Sequence, residues 1–200
     1  MNCHLAHGKE NVPRRFEEMK TIFSSILEDV NPISVTAHDI KFMYGDLNFG
    51  IDLENAVTCR LTRENNFSEM LSNDQLLNQS HQYNLPILNE APITFPPTYK
   101  FIVETSEYNL EKRPPAWCDR ILWVSTDAVK FIAYDYVKSL CLSDHKPIYG
   151  IYLVNIEQPV ITRDTEESLS IQEEEKIKLE SDVTKMESCN AVDIDSNCIE

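Results

Sequence analysis

The chain has 200 residues, of which 42% are hydrophobic and 26% charged, as is ordinary for one globular domain. Its formal net charge is −15, and residues 155–200 alone hold 13 acidic and 4 basic residues. A general nucleic-acid or anionic-membrane binder needs a basic face, so this composition argues against both classes, and any bound anion must be held by a local cluster.

The six cysteines, which form no C-x-x-C pair, argue against a zinc site. The N-terminus shows no basic-then-apolar signal pattern, and no apolar run approaches the roughly 18 residues of a membrane-spanning helix. We therefore expect reduced thiols in a cytoplasmic protein.

Hydrophobic periodicity and turn residues divide the chain into short, mixed elements. In chain order, we predict the end of a strand at 1–5, a helix at 12–27, a strand at 39–44, helices at 53–63 and 67–77, an irregular stretch at 79–100, and strands at 120–125, 129–137 and 147–154. The last three strands are rich in Ile, Val and aromatic residues, which fit a pleated, half-buried surface. Helices and strands do not alternate regularly, which indicates an α/β or α+β class.

The composition changes after residue 154, where the aromatic residues stop and acidic residues accumulate. We predict one folded domain at 1–154 and an acidic, disordered tail at 155–200, with at most a partial helix at 166–186.

Polar residues cluster at the ends of predicted strands, where loops held by a sheet commonly carry functional sites. The four segments are Asn2-Cys3-His4-Leu5, Gly45-Asp46-Leu47-Asn48, Pro115-Ala116-Trp117-Cys118-Asp119-Arg120 and Ser143-Asp144-His145-Lys146-Pro147. Each segment alone has an ordinary structural explanation, as a turn, a cap, an ion pair or a core histidine. Together they supply what hydrolysis of a phosphate monoester requires: oxygen ligands for Mg²⁺, a carboxylate that activates water, and a charged histidine that stabilises phosphoryl oxygens.

This set resembles the inositol polyphosphate 5-phosphatases, a family in the superfamily that includes deoxyribonuclease I and the abasic-site endonucleases. The chain carries G-D-L-N-F at 45–49, P-A-W-C-D-R-I-L-W at 115–123 and F-P-P-T-Y-K at 95–100. The resemblance covers residues 1–154. It implies a partial four-layer α/β/β/α sandwich of the deoxyribonuclease I-like type that lacks its N-terminal half.

The resemblance also implies roles for the catalytic residues. Asp46 is expected to position and deprotonate the attacking water, and Asn48 to orient the scissile phosphate. His145 is expected to contact that phosphate, with Asp119 orienting its ring. His4 is expected to bind a phosphate oxygen from the opposite side of the site.

Metal and substrate contacts follow from the same resemblance. Asp144 is expected to support the metal side of an Mg²⁺ site. Tyr99, Lys100 and Arg113 resemble the family's clamp on the neighbouring 4-phosphate of the inositol ring. Lys112 joins this substrate-binding set, although the family tends to place its lysine one position earlier. Cationic side chains there would form charge-assisted hydrogen bonds with a dianionic phosphate.

Two departures from the family pattern bear on activity. The chain starts near the middle of the family's catalytic domain, so we expect it to lack the glutamate that is the main Mg²⁺ ligand. Gly50 stands where the family usually has an arginine, which removes one ion-pairing side chain.

The leading hypothesis is a 5-phosphatase acting on phosphatidylinositol 4,5-bisphosphate and related inositol phosphates. Its expected partners are phosphoinositide lipids or soluble inositol polyphosphates, met peripherally at a membrane surface, and no nucleic acid. The alternative is a catalytically inactive fragment that binds phosphoinositide or a protein partner. A nuclease is disfavoured by the motifs at 95–100 and 115–120 and by the acidic charge.

Overall fold

The computed structural model describes residues 1–27, 33–124 and 127–156, and residues 1–155 form one unit. The α-helices are α1 (Val12–Phe23), α2 (Asn55–Arg63), α3 (Phe67–Leu71) and α4 (Gln75–Gln79). The strands are β1 (Asn2–His4), β2 (Ile26–Leu27), β3 (Ile33–Ser34), β4 (Lys41–Asp46), β5 (Asn89–Glu90), β6 (Asp119–Val124), β7 (Val129–Tyr136) and β8 (Ile148–Val154). The tail predicted at 155–200 lies outside the described residues, apart from its first two.

A four-stranded sheet with the order β1-β4-β6-β5 carries the polar strand ends. Strand β1 runs parallel to β4, and β4 runs antiparallel to β6. Gly45 makes the close approach of β1 possible. Its φ is +128°, and a Cβ at this position would lie 2.1 Å from the Cys3 carbonyl oxygen. Only glycine fits this backbone conformation and this contact.

Helix α1 is shorter than the predicted helix at 12–27, because two serines end it. Its buried face repeats at three- and four-residue spacing through Phe16, Met19 and Phe23. The Ser25 hydroxyl donates to the Thr21 carbonyl, which the Ser25 N–H would bind in a continuing helix. The chain then enters β2, which pairs with β3.

The single helix predicted at 67–77 is also wrong, because the chain breaks at Asp74 into α3 and α4. Asp74 has extended backbone angles and accepts a hydrogen bond from the Leu77 N–H at 3.0 Å, which makes it the N-cap of α4. The same carboxylate accepts two 3.0 Å hydrogen bonds from Arg120, and both side chains are fully buried. This tertiary contact fixes the break.

The two predicted core tryptophans, Trp117 and Trp123, are buried at 0% and 8% exposure. They belong to an aromatic cluster beneath β6 and the β7–β8 hairpin, and a second cluster packs α1 against β1 and β4. The strands predicted at 120–125, 129–137 and 147–154 agree with β6, β7 and β8 within one residue at each end. Within the described ranges, no helix has both the length and the apolar character needed to cross a bilayer.

Candidate active site

Strand register places three predicted site residues in one row at the end of the sheet. His4 on β1 is the register partner of Asp46 on β4, and Asp46 is the partner of Asp119 on β6. His4 Nε2 lies 3.3 Å from Asp46 Oδ2, although the His4 side chain remains 78% exposed. Sheet pairing alone therefore brings together groups that are 115 positions apart in the sequence.

His145, on the loop before β8, completes this group. Its Nδ1 donates to the Asp119 carboxylate at 3.0 Å, and its Nε2 lies 3.9 Å from Asp46 Oδ2. The neighbouring backbone is fixed by a 2.8 Å hydrogen bond from the Lys146 N–H to the Thr98 carbonyl. In the described part of the chain, Asp46, Asp119 and His145 offer ligand atoms within 4.8 Å of one another.

Thr98 is a site residue that the sequence analysis did not single out. Its hydroxyl donates to Asp119 Oδ2 at 2.7 Å. Thr98 and His145 therefore both hold the Asp119 carboxylate in its orientation. Thr98 is fully buried. The only feature of the sequence that could have indicated Thr98 as a site residue is its position inside the F-P-P-T-Y-K motif.

The combined effect of burial and neighbouring charges is to raise the pKa values of Asp46 and His145. Burial raises the pKa of Asp46, and the negative charge of Asp119 raises it further, against a smaller opposing effect of His145. Burial lowers the pKa of His145, but the hydrogen bond and charge of Asp119, helped by Asp46 and Asp144, outweigh it, so this pKa is raised. Asp46 is therefore a stronger base than an exposed aspartate, and His145 retains its positive charge to higher pH.

Asn48 occupies the turn after β4 in the left-handed region, with φ of +57°, a conformation that asparagine tolerates better than most residues. Its N–H donates to Asp46 Oδ1 at 3.0 Å, and its side-chain amide donates to the Leu5 carbonyl at 3.0 Å. Arg113 donates to both oxygens of Asn48, at 3.0 and 3.3 Å. Asn48 thus orients Asp46 and anchors Arg113, and its expected contact with phosphate stays a prediction.

The expected clamp residues converge on Tyr99. The Lys100 ammonium lies 5.1 Å and the Arg113 guanidinium 5.5 Å from the centre of its ring, both within cation–π range. The ring also packs against that of His145, with centroids 4.4 Å apart. Lys100 and Arg113 are therefore fixed beside the catalytic group, and Tyr99 is both a core aromatic and a site residue.

Asp144 lies apart from the cluster of metal-ligand atoms. Its carboxylate forms an ion pair with Lys100, and this hydrogen bond lowers the pKa of Asp144 and raises that of Lys100. The metal-side role expected for Asp144 stays a prediction, and its contacts favour the positioning of Lys100 instead.

Lys112 lines a separate cavity of about 260 Å³ together with Arg113, His7 and Lys9. This cavity adjoins the site through Arg113. Three cations and a histidine on its lining give a chain of net charge −15 a local place for an anion. Lys112 faces this cavity and forms no ion pair within the described residues.

Comparison with known proteins agrees with this geometry. A family model described as Endonuclease/Exonuclease/phosphatase family 2 matches residues 1–151. The type I inositol polyphosphate 5-phosphatase 2 of Arabidopsis thaliana is 34% identical over 148 residues, covering 69% of this chain and 22% of the relative. The phosphatidylinositol 4,5-bisphosphate 5-phosphatase INP51 of Saccharomyces cerevisiae is 33% identical over 177 residues, covering 87% and 18%. The chain thus spans about a fifth of the length of these relatives.

Among solved structures, the inositol polyphosphate 5-phosphatase domain of SPsynaptojanin, in complex with inositol (1,4)-bisphosphate and calcium ion, matches with a TM-score of 0.68. The identity is 31%, and the match covers 94% of this chain and 54% of that domain. A ferrous nitric oxide complex of Cimex nitrophorin matches with a TM-score of 0.55 and 27% identity, over 68% of this chain and 46% of the nitrophorin. The α/β, deoxyribonuclease I-like fold is therefore confirmed. The chain belongs to the endonuclease/exonuclease/phosphatase family and, within it, to the inositol polyphosphate 5-phosphatases.

Proposed function

We propose that the chain carries the phosphate-hydrolysing site of an inositol polyphosphate 5-phosphatase, acting on phosphatidylinositol 4,5-bisphosphate and related inositol phosphates. The observation that carries the proposal is the convergence of His4, Asp46, Asp119 and His145 at one sheet end, beside Lys100 and Arg113. The names of the relatives supply the substrate class.

In the proposed reaction, a water oxygen attacks the phosphorus of the 5-phosphate, and the bond from that phosphorus to the inositol oxygen breaks. The inositol oxygen takes up a proton from solvent, into which Asp46 later releases the proton of the water, so the products are the inositol hydroxyl and inorganic phosphate. Asp46, with its raised pKa, accepts the proton of the water. His145, whose pKa Asp119 raises, donates its Nε2–H to a phosphoryl oxygen as negative charge develops there. His4, exposed across from Asp46, contacts the phosphate from the other side.

The oxygen donors fit the proposed Mg²⁺ ion. Carboxylate oxygens of Asp46 and Asp119 approach within 4.8 Å of each other, and hard oxygen ligands are those that Mg²⁺ prefers, whereas imidazole suits transition metals. Asp119 would hold the ion on this side, which leaves Asp46 free to accept the proton of the attacking water. When bound, Mg²⁺ supplies Lewis-acid polarisation of a phosphoryl oxygen.

Lys100 and Arg113 are proposed to bind the neighbouring 4-phosphate. Both cations are fixed beside Tyr99, so little side-chain freedom remains to be lost on binding. Lys112 extends this positive surface into the adjoining cavity. We further propose peripheral association with cytoplasmic membrane surfaces, because the lipid substrates reside there.

The alternative function is a non-catalytic phosphoinositide-binding protein. The observation that favours it is coverage: the chain matches 54% of the SPsynaptojanin domain. Mg²⁺ requires near-octahedral coordination, and the loss of even one group that supports a metal ligand costs about 10–100-fold in metal affinity or activity. In this alternative, Lys100 and Arg113 around Tyr99 still bind phosphoinositide, but the phosphate is not hydrolysed.

Phosphate release from short-chain phosphatidylinositol 4,5-bisphosphate distinguishes the two functions. We expect Mg²⁺-dependent release that His145→Ala lowers by about 10²–10⁴-fold, because the cation that stabilises the phosphoryl oxygens is lost. His81→Ala is the matched control, because His81 is exposed on the turn Ser80–Gln82, which contributes no residue to the proposed site, and its activity should equal that of the wild type. Folded wild-type protein with no release above His145→Ala would contradict catalysis and leave the binding function.

A further inference from the structure

A cysteine and a lysine outside the catalytic group meet on the loops beside it. The Lys146 ammonium donates to the Cys141 sulfur at 2.8 Å. We call these two residues the thiol–amine pair. Lys146 is 1% exposed, whereas Cys141 is half-buried, and its sulfur also lies 3.9 Å from the hydroxyl of the exposed Ser106. A small reagent from solvent can therefore reach a sulfur that is already in contact with an amine.

Burial leaves the Lys146 ammonium in need of a negative charge. Its other contacts are neutral: the carbonyls of Thr105 and Leu140, at 3.1 and 3.0 Å, and the ring of Phe101, whose centre is 4.9 Å away. Lys146 forms no ion pair with a carboxylate anywhere in the described ranges. A buried charge is costly unless it is paired, so Cys141 is the available counter-ion, in its thiolate form.

This contact distinguishes Cys141 from the other described cysteines. Cys3, Cys59 and Cys118 are buried, and each is placed to donate its S–H to a backbone carbonyl. Burial raises the pKa of Cys3 and of Cys118. By contrast, the hydrogen bond from Lys146 lowers the pKa of Cys141. The thiolate is the nucleophilic form of cysteine and the form that peroxides oxidise, so Cys141 is the described cysteine best suited to oxidation.

We propose that the thiol–amine pair is an oxidation site at which hydrogen peroxide joins Cys141 Sγ to Lys146 Nζ by a covalent S–N bond. The sulfur attacks the O–O bond of the peroxide and becomes a sulfenic acid, and the released hydroxide takes a proton from the Lys146 ammonium. The amine nitrogen then attacks this sulfur, the S–O bond breaks and water leaves, as in the known condensation of sulfenic acids with nitrogen. The sulfur is oxidised and the peroxide is reduced, so thiolate, ammonium and hydrogen peroxide give a sulfenamide and two molecules of water.

The S–N bond changes the loop that carries His145, which Lys146 directly follows. An ammonium has three N–H donors, and here they serve the Thr105 carbonyl, the Leu140 carbonyl and the Cys141 sulfur. A sulfenamide nitrogen keeps a single N–H, so one of the two carbonyls loses its donor. Under the proposed function, on which this step alone rests, oxidation should lower phosphate release, and a thiol reductant should restore it.

Mass spectrometry of the 200-residue chain after treatment with hydrogen peroxide tests the proposal. Cleavage on the N-terminal side of Asp144 separates the two residues, so a peptide containing Cys141 that stays joined to one containing Lys146 identifies the bond. The joined pair should be lighter than the two free peptides by two hydrogen atoms, and dithiothreitol should separate it. Residues 144–163 contain no cysteine, which excludes a disulfide between these peptides.

Cys141→Ser should abolish the joined peptides and make phosphate release insensitive to peroxide. Cys59→Ser is the matched control, because Cys59 Sγ contacts the Leu110 carbonyl rather than a cation, and it should behave as the wild type does. The native chain should form the bond at least about tenfold faster than the chain unfolded in urea, because only the fold holds the ammonium against the sulfur.

Oxidation of Cys141 without joined peptides, or equal rates in the native and the unfolded chain, would overturn the proposal. Unchanged phosphate release after the bond has formed would overturn its effect on the site. Failure of the proposed function is separate: joined peptides in a chain that releases no phosphate even before oxidation support the thiol–amine pair and contradict only the hydrolytic activity.

Discussion

At the scale of single residues, the charge of His145 depends on Asp119. Burial alone would lower the pKa of the imidazole, and the 3.0 Å hydrogen bond and negative charge of Asp119 reverse that effect. Because the folded pKa is raised, the positive charge is present below this pKa and is lost as the pH rises through it. The phosphoryl-stabilising form of His145 therefore extends to higher pH than in an isolated histidine.

Asp119→Asn should shift the His145 pKa downward, because the desolvation penalty remains while the compensating charge is gone. An NMR titration of the His145 ring in metal-free protein measures this without relying on turnover. Asp135→Asn, at an exposed position on β7, serves as the control and should leave the titration unchanged. An unchanged or higher His145 pKa in Asp119→Asn would contradict the electrostatic role assigned to this carboxylate.

The same scale shows where sequence reasoning stops. The motifs identified His4, Asp46, Asp119 and His145, because each lies at the end of an apolar strand or in a loop beside one. Nothing in the sequence pairs Lys100 with Asp144, 44 positions apart, or aims the Thr98 hydroxyl at Asp119. Such contacts depend on which loops meet in three dimensions, and one-dimensional spacing does not contain that information.

At the scale of secondary-structure elements, the hydrophobic pattern of the sequence predicted the long strands but not the points at which the predicted helices end. Strands β6, β7 and β8 were predictable because their apolar residues fill one core. The ends of α1 and α3 were not predictable, because hydrogen bonds of side chains determine them. The Ser25 hydroxyl donates to the Thr21 carbonyl at the end of α1. Asp74, just after α3, caps α4 and forms an ion pair with Arg120. Strand β5 is only two residues long and exists through its pairing with β6, where Glu90 also binds Arg120.

The pairing of β1 with β4 depends on Gly45, and a pair of glycine variants tests this. Gly45→Ala places a methyl group against the Cys3 carbonyl at positive φ, so we expect a loss of about 2–3 kcal/mol in the free energy of unfolding. At Gly50, the nearest atom to an added Cβ is Gln75 Oε1, 3.4 Å away, so Gly50→Ala should stay within about 1 kcal/mol of the wild type. Urea unfolding of both variants gives the comparison, and equal losses would show that the close approach of β1 is unimportant.

At the scale of the whole molecule, the β7–β8 hairpin has an apolar outer face that no described residue covers. Along β8, Ile148, Tyr152 and Val154 pack on the aromatic cluster, while Ile151 and Leu153 are 53% and 55% exposed. An antiparallel sheet with one solvated face usually carries polar residues on that face, so apolar residues there indicate a surface that a further layer would cover.

An uncovered apolar sheet face should make the 200-residue chain self-associate in solution, since exposed strands of this kind are prone to edge and face pairing. Leu153→Lys introduces a charge at the centre of that face, and we expect it to weaken self-association by about tenfold, the effect of losing one well-buried leucine. Ile87→Lys changes the net charge equally at a position that is 84% exposed and distant in sequence from the hairpin, so it separates the loss of apolar contact from simple charge repulsion. Light scattering over a concentration series measures the effect. A monomer at every concentration, or an equal response to both lysine variants, would mean that the exposed face of β8 is stable in water without a partner layer.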